Sequence, residues 1–446
     1  MGVSGVPRAI RPVPELSEKE ERNGGRLRML VLSPILPFPG VSGQEQRVRH
    51  TLEAARPLFH VTVATYVPQG QEEPVRAELS RFCDASIVLP ALYSRSRREQ
   101  WIHRLRGAAV SAWTGVKRTN YEIGHVEFSP SRVRSELGGL PFDCVLFEYW
   151  YAAKATSVFR ERGIPCVLDM HNILWRAYER QLRRVRRLPG WLKRWAVARY
   201  RRREEESWRH FDGLVAINRE EEADVRDSAA SQGTRVFYAP MGVDLVRWPY
   251  QWQPAKPVRV GFYGALGSAE NREGAFRCYE EVMPLIWERF PDAELWFVGV
   301  NPPPSLLALT RNPRVRVTGF VPDPARILAT MFCVVCPWSG TYGFRSRLVE
   351  VMSVGVPVVA SRDAVSGMEL EHGKGVLLAD DDEGLARLVS GLLENVPVAQ
   401  EQSRLARARV EELFSIEKTY GRWMREMSEW LHRQGDPVRA SGGILS

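Results

Sequence analysis

A chain of 446 residues is longer than one hydrophobic core usually organises, and with 44% hydrophobic residues it has enough apolar material for two. A formal charge of +9 predicts an anionic partner, which could be a phosphorylated small molecule, an acidic membrane face or a nucleic acid. No apolar run approaches the roughly 18 residues that span a bilayer, and six cysteines scattered through apolar runs suit a reduced compartment better than a disulfide framework.

Residues 1–25 mix Pro, Gly and charge without periodicity and are expected to form a loose tail. The following "RLRMLVLSPILPFPG" places basic residues before a short apolar core, as a secretion signal does. It follows a polar stretch and lacks a small-residue cleavage site, so it reads as the first strand of a cytoplasmic protein. Further short apolar runs, "VTVATYV", "SIVLP", "CVLFEYW", "CVLDM" and "GLVAIN", alternate with longer amphipathic stretches, the pattern of parallel strands covered on both faces by helices. This first α/β unit spans residues 26–248.

Within it, residues 181–203, "QLRRVRRLPGWLKRWAVARYRRR", carry ten Arg or Lys and no acid, with Trp191 and Trp195 among them. Basic residues interleaved with tryptophan fit an anionic membrane surface, as does the basic "YSRSRREQWIHRLRG" from Tyr93. The alternative is a solvated basic face that contacts nothing, part of it neutralised by the acids Glu204, Glu205 and Glu206.

The pattern restarts after a Trp- and Pro-containing connector at residues 244–257. The runs "VRVGFYGAL", "AELWFVGV", "VRVTGFV", "FCVVCPW", "PVVAS" and "GVLLAD" predict a second α/β unit over residues 256–415. A helix at 416–434 is expected to pack back on the first domain, and residues 435–446 read as a tail. The expectation is two doubly wound domains with a ligand cleft between them, beyond the carboxyl ends of their strands.

Glycines follow strands at Gly43, Gly264 and Gly299, but none forms GxGxxG or a Walker loop, which disfavours a dinucleotide oxidoreductase or a P-loop NTPase. Cys333 and Cys336 have the spacing of a zinc or redox pair, yet they sit in an apolar strand with no second Cys or His pair following, so the expectation is structural.

The segment Gly343–Ser361, "GFRSRLVEVMSVGVPVVAS", is more specific. A helix starting near Arg345 and ending at Gly355 and Pro357 puts Arg347 and Glu350 on one face. Two guanidiniums beside the free N–H groups of a helix start can hold a diphosphate, and a carboxylate can accept hydrogen bonds from sugar hydroxyls. The competing reading is an intrahelical Arg347–Glu350 ion pair.

This segment resembles the G-x-R-x-[KR]-x-x-E-x-M-x-x-G-x-P-V-V motif of GT-B glycosyltransferases of the GT4-like group. "VGFYGALGSAENREGAFRCYEEVMPLIWERFPDAELWFVG", from Val260 to Gly299, is similar to the same group's first C-domain strand, its Asn-containing loop and the helix that follows. "VRVTGFVPD", from Val315, resembles its base-pocket strand and loop.

The resemblance implies a GT-B fold, two Rossmann-like domains facing across a cleft, and retaining transfer of a sugar from a nucleoside diphosphate to an acceptor hydroxyl. It implies that Glu350 binds the donor ribose and that Arg345 and Arg347 neutralise the diphosphate. By the same resemblance Gly43, Gly264, Asn271, Tyr342 and Gly343 line the donor, and His171 in "LDMHN" stands near the transferred sugar as a catalytic residue. No metal and no cofactor beyond the nucleotide sugar are implied, and no nucleic acid. The acceptor is unassigned; a lipid-linked one is suggested by the basic segment, with the enzyme at the inner face of the membrane.

The chain departs from the family pattern at Tyr342, where many members carry a glutamate. It departs again at "GALGSAEN", which supplies no cation near Ala265. A nucleotide-sugar epimerase of the same fold and a non-catalytic binding homologue are the alternatives.

Overall fold

The computed structural model describes residues 26–40, 42–94, 96–114, 126–183, 185, 188–229, 233–340 and 344–435. Its first sheet is all parallel, with seven strands: β1 Leu27–Leu32, β2 Phe59–Val67, β3 Ala85–Pro90, β4 Cys144–Glu148, β5 Cys166–Asp169, β6 Gly213–Ala216 and β7 Arg235–Tyr238, in the order β3-β2-β1-β4-β5-β6-β7. The second is a parallel sheet of six: β8 Arg259–Tyr263, β9 Glu294–Val298, β10 Val315–Val317, β11 Cys333–Cys336, β12 Val358–Ser361 and β13 Val376–Ala379, in the order β10-β9-β8-β11-β12-β13. Met29 to Leu32 and Val145 to Phe147 are fully buried, which is why these strands read as unbroken apolar runs rather than alternating ones.

The architecture is α/β with two Rossmann-like sheets, as the alternation implied. The strand missing from the sequence reading is β7, four residues that open with an exposed arginine at a sheet edge. Both cysteines of the CxxC lie buried in β11, where burial pushes their thiols up to about 12.

The connector runs along the second domain: Gln251 N donates to Val354 O, Gln253 N to Ala329 O and Ala255 N to Thr330 O. The chain then returns to the first domain. Tyr420, Trp423, Met424 and Met427 are fully buried against the same core as Met29, Val31 and Phe237, and the Trp430 ring meets Phe237 edge-on at 5.7 Å.

Each sheet reverses its strand order once, between β1 and β4 and between β8 and β11. Those are the places where the loops leaving adjacent strands diverge and leave a crevice.

Candidate functional site

The helix Ser346–Val354 is the centre of the site. Residues Leu348 to Val354 are all buried, and Gly355 ends the helix at φ +88, a left-handed conformation that also brings its Cα so close to the Tyr250 ring that a Cβ would stand 2.3 Å away. Glu350 is buried among these apolar residues and needs partners. Tyr263, the last residue of β8, donates its hydroxyl to Glu350 Oε2 at 2.8 Å. Arg347 Nη1 reaches Glu350 Oε2 at 2.7 Å, Oε1 at 3.0 Å and Tyr263 Oη at 3.0 Å.

Burial and then the Glu350 carboxylate push the Tyr263 hydroxyl far above its ordinary range. Burial opposes the charge of Arg347, but Glu350 and Tyr263 outweigh it and hold the guanidinium above its usual value. The structure therefore contains the intrahelical ion pair, with Tyr263 as a third member that the sequence did not suggest.

Arg345 precedes the first turn of this helix, and its guanidinium stacks over the buried Trp338 ring at 4.5 Å. The stacking holds the cation at the helix N-terminus instead of in solvent. Between the domains lies a cavity of about 340 Å³, lined by Asn271, Arg345 and Arg347 from the second domain and by Asn172, Arg180 and Gln181 from the first. A smaller adjoining one, about 60 Å³, brings Gly40 and Gln46 against Ser346 and Glu350. The folded chain thus brings Asn271, Arg345, Arg347 and Glu350 to one cleft.

Asn271 donates its side-chain amide to Ala265 O at 3.1 Å and packs on Gly264, where a Cβ would come within 2.8 Å of the Asn271 side chain. Gly264 is also crossed by Gly299, whose own Cβ would stand 1.7 Å from Gly264 O. Both glycines are required by this close approach of the loops after β8 and β9. Tyr342 and Gly343 lie outside the described residues.

In the first domain the turn after β1 is made by Gly40, at φ +81, rather than by Gly43. Gly43 opens the helix Gly43–Ala55, capped by a reciprocal Ser42–Glu45 box, and open space surrounds the position of its Cβ.

His171 follows β5 in a left-handed conformation, φ +58, and is buried. Its ring stacks on Tyr149 at 4.2 Å, and its Nε2 is hydrogen-bonded to Glu148, the last residue of β4. Asp169, the last residue of β5, stands beside Glu148 in register. It is gripped by Arg47, whose Nε lies 2.8 Å from Oδ2 and whose Nη2 lies 2.7 Å from Oδ1, while Arg47 Nη1 donates to Ala239 O at 2.9 Å.

Burial and the nearby Asp169 raise the Glu148 carboxyl, with His171 working the other way. Glu148, Asp169 and His171 have ligand atoms within 4.8 Å of one another, a cluster that no sequence motif announced. The guanidinium on Asp169 already supplies its positive charge. His171 is not among the residues lining either cavity.

The loop carrying His171 is fixed from below. The helix Leu174–Arg183 begins with N–H groups that Glu204 accepts, from Leu174 at 2.8 Å and from Trp175 at 2.7 Å. Glu204 is fully buried, and burial, with smaller contributions from Glu221 and Glu205, raises its carboxyl to about 8. The first acid of the Glu204–Glu206 run is thus a structural cap and not a counter-ion for the basic segment; Glu205 pairs with Arg201.

A folded-state pKa raised above the unfolded value favours the native state while the group is protonated. That contribution is complete below about pH 4.5 and is lost as pH rises to about 8. Glu204→Ala should lower Tm near pH 6, since each orphaned buried donor costs about 1–3 kcal/mol, and it should flatten the fall in Tm between pH 5 and 8. Calorimetry across that range measures both effects.

A pair of parallel Rossmann-like sheets with a cation-lined cleft between them is the GT-B glycosyltransferase architecture. Residues 257–395 match the family of group 1 glycosyl transferases. Among solved structures, the sucrose-phosphate synthase of Thermosynechococcus elongatus superposes with a TM-score of 0.63 at 16% identity, covering 91% of this chain and 100% of that one. The α,α-trehalose 6-phosphate synthase of Burkholderia multivorans gives 0.60 at 12% identity, over 93% and 100%. HepE from Anabaena, solved with UDP and glucose, gives 0.57 at 16%, over 91% and 100%. No curated protein sequence matches the chain. The second domain matches the group 1 glycosyl transferases over residues 257–395, and the fold of the whole chain is that of GT-B glycosyltransferase structures.

Proposed function

We propose that the protein transfers a sugar from a nucleoside diphosphate to an acceptor hydroxyl with retention at the anomeric carbon. The observation that carries this reading is the convergence of Arg345, Arg347 and the start of the helix Ser346–Val354 on the interdomain cavity, with the buried Glu350 one turn further along. As the bond to the leaving diphosphate breaks, negative charge grows on its oxygens. Guanidiniums already held in place, one by Trp338 and the other by Glu350 and Tyr263, stabilise that charge more than the ground state.

Glu350 accepts the ribose hydroxyls, taking them in place of part of its contact with Arg347. A phosphate oxygen leaving on the same face as the incoming hydroxyl can take its proton, so the chain need supply no nucleophile. The two arginines provide the positive charge for this chemistry without a metal. His171, linked to Glu148, holds the turn that carries Asn172, a residue lining the cavity. HepE was solved with UDP-glucose, which supports a nucleotide sugar as donor.

Thermal unfolding with UDP-, GDP-, ADP- and dTDP-sugars tests the donor. A rise in Tm with one nucleotide class, about 2.7 kcal/mol of added stability at a hundredfold excess over Kd, is expected, together with its loss in Arg345→Ala. No rise with any of the four overturns the reading. Release of free nucleoside diphosphate only when an acceptor is present separates transfer from epimerisation.

A further inference from the structure

We infer that an exposed face of the first domain, formed by the helices Arg97–Thr114 and Gly190–Trp208, docks on an anionic lipid bilayer. The corollary that the acceptor then reaches the cleft from the membrane rests on the transferase reading above; the docking itself does not.

Large apolar side chains are seldom clustered in the open on a soluble protein, and here they concentrate. Of twelve exposed large hydrophobics among the described residues, six belong to these two helices and the connector before the second: Trp101 at 63% exposure, Ile102, Leu105 at 61%, Val185, Trp191 at 65% and Trp195 at 43%. The two helices pack against each other, so their outer residues form one surface.

On the second helix Trp191, Arg194, Trp195, Ala198 and Arg202 are exposed at the spacing of a single helical face, while Ala196, Tyr200, Glu204 and Trp208 are buried on the other. The tryptophans therefore point away from the core, among cations, and Arg199 sits over the Trp195 ring at 5.2 Å. Arg97, Arg98 and Arg104 are likewise exposed beside Trp101.

The charge selects the occupant. Glu204 is turned inward as a helix cap, Glu205 pairs with Arg201 and Glu179 with Arg183, so the neighbouring acids cancel only part of the ten positive charges of residues 181–203. A second copy of the same face would meet like charge. A nucleic acid would satisfy the arginines but would leave Ile102 and Leu105 in water. An anionic bilayer answers both, with phosphates for the cations and an interfacial zone in which tryptophan is favoured. No helix among the described residues is long and apolar enough to cross a membrane, so such attachment would be to the surface.

The face also lies close to the site. The helix Leu174–Arg183, whose Arg180 and Gln181 line the cleft cavity, packs on Gly190–Trp208 and ends one short connector before it.

The test is sedimentation of the full chain with vesicles of phosphatidylcholine alone or with about 30 mol% phosphatidylglycerol, at low and high salt. The expected result is binding to the anionic vesicles, weakened by salt, and at least about tenfold weaker for Trp191→Ser with Trp195→Ser, for Trp101→Ser with Leu105→Ser, and for Arg194→Gln with Arg202→Gln. Nucleotide-sugar stabilisation should be unchanged in all three, which keeps failure of this inference apart from failure of the donor reading. Absence of wild-type binding, equal binding by the variants, or capture by an oligonucleotide or an acidic protein with vesicles ignored would overturn it.

Discussion

Glu350→Ala is expected to weaken nucleoside diphosphate binding about 100-fold while the protein stays folded. Hydrogen bonds to a charged acceptor contribute about 1.5–3 kcal/mol, and losing roughly 3 kcal/mol corresponds to about two decades in Kd. The reason to single out this residue is its double life in the structure. Its two oxygens already hold Arg347 and the Tyr263 hydroxyl, so a purely structural carboxylate and a ribose-binding one look alike without ligand.

Titration calorimetry with the nucleotide found by the stability panel separates the two. A ribose acceptor loses affinity in Glu350→Ala, and Arg347→Ala loses affinity by a similar factor through the diphosphate. A carboxylate that merely completes an ion pair lowers Tm in both variants and leaves Kd where it was. Tyr263→Phe discriminates further: it removes one donor to Glu350 without touching its charge, so its effect on Kd should be small beside that of Glu350→Ala.

The fold was legible because parallel strands covered by helices write themselves as short, largely apolar runs, and twelve of the thirteen strands fall in such runs of the sequence; β7 was missed, being short and opening on Arg235. The helix at 346–354 was legible because its start, its glycine stop and its charged face lie within a dozen residues of one another. What the sequence could not show is pairing between distant residues. Nothing near Asp169 in sequence points to Arg47, 122 residues away, and nothing near Glu350 points to Tyr263, 87 residues away. Local ambiguity hid the rest. Gly40 and Gly43 lie three apart in the sequence, and only the backbone shows that the first makes the turn and the second opens the helix. Three successive glutamates read as acids that neutralise part of the basic segment until the helix phase turns Glu204 inward.

Breaking the Arg47–Asp169 pair should have the largest effect on stability of any single change in the first domain. Both side chains are essentially inaccessible, at 1% and 0%, and each is solvated by the other alone or by a few neighbouring groups. Burial acts against the charge on Arg47, yet Asp169, with a lesser contribution from Tyr420, holds the guanidinium well above its ordinary range.

Removing one partner strands the other charge in the interior, at a cost of about 3–5 kcal/mol, which for a domain of this size lowers Tm by roughly 10 °C. Arg47→Met should therefore destabilise strongly, as should Asp169→Leu, whereas the double variant should recover much of the loss because no charge is left unpaired. Arg47 also lies 5.8 Å from the Tyr420 ring and 6.0 Å from the Trp423 ring, so the single variant should loosen the docking of the C-terminal helix. Hydrogen exchange at Arg422–Gly435 reports that directly, with faster exchange in Arg47→Met while β8–β13 keep their protection. Uniform loss of protection in both sheets would mean instead that the two domains unfold as one unit, and the pair would then stabilise the whole chain rather than the first domain.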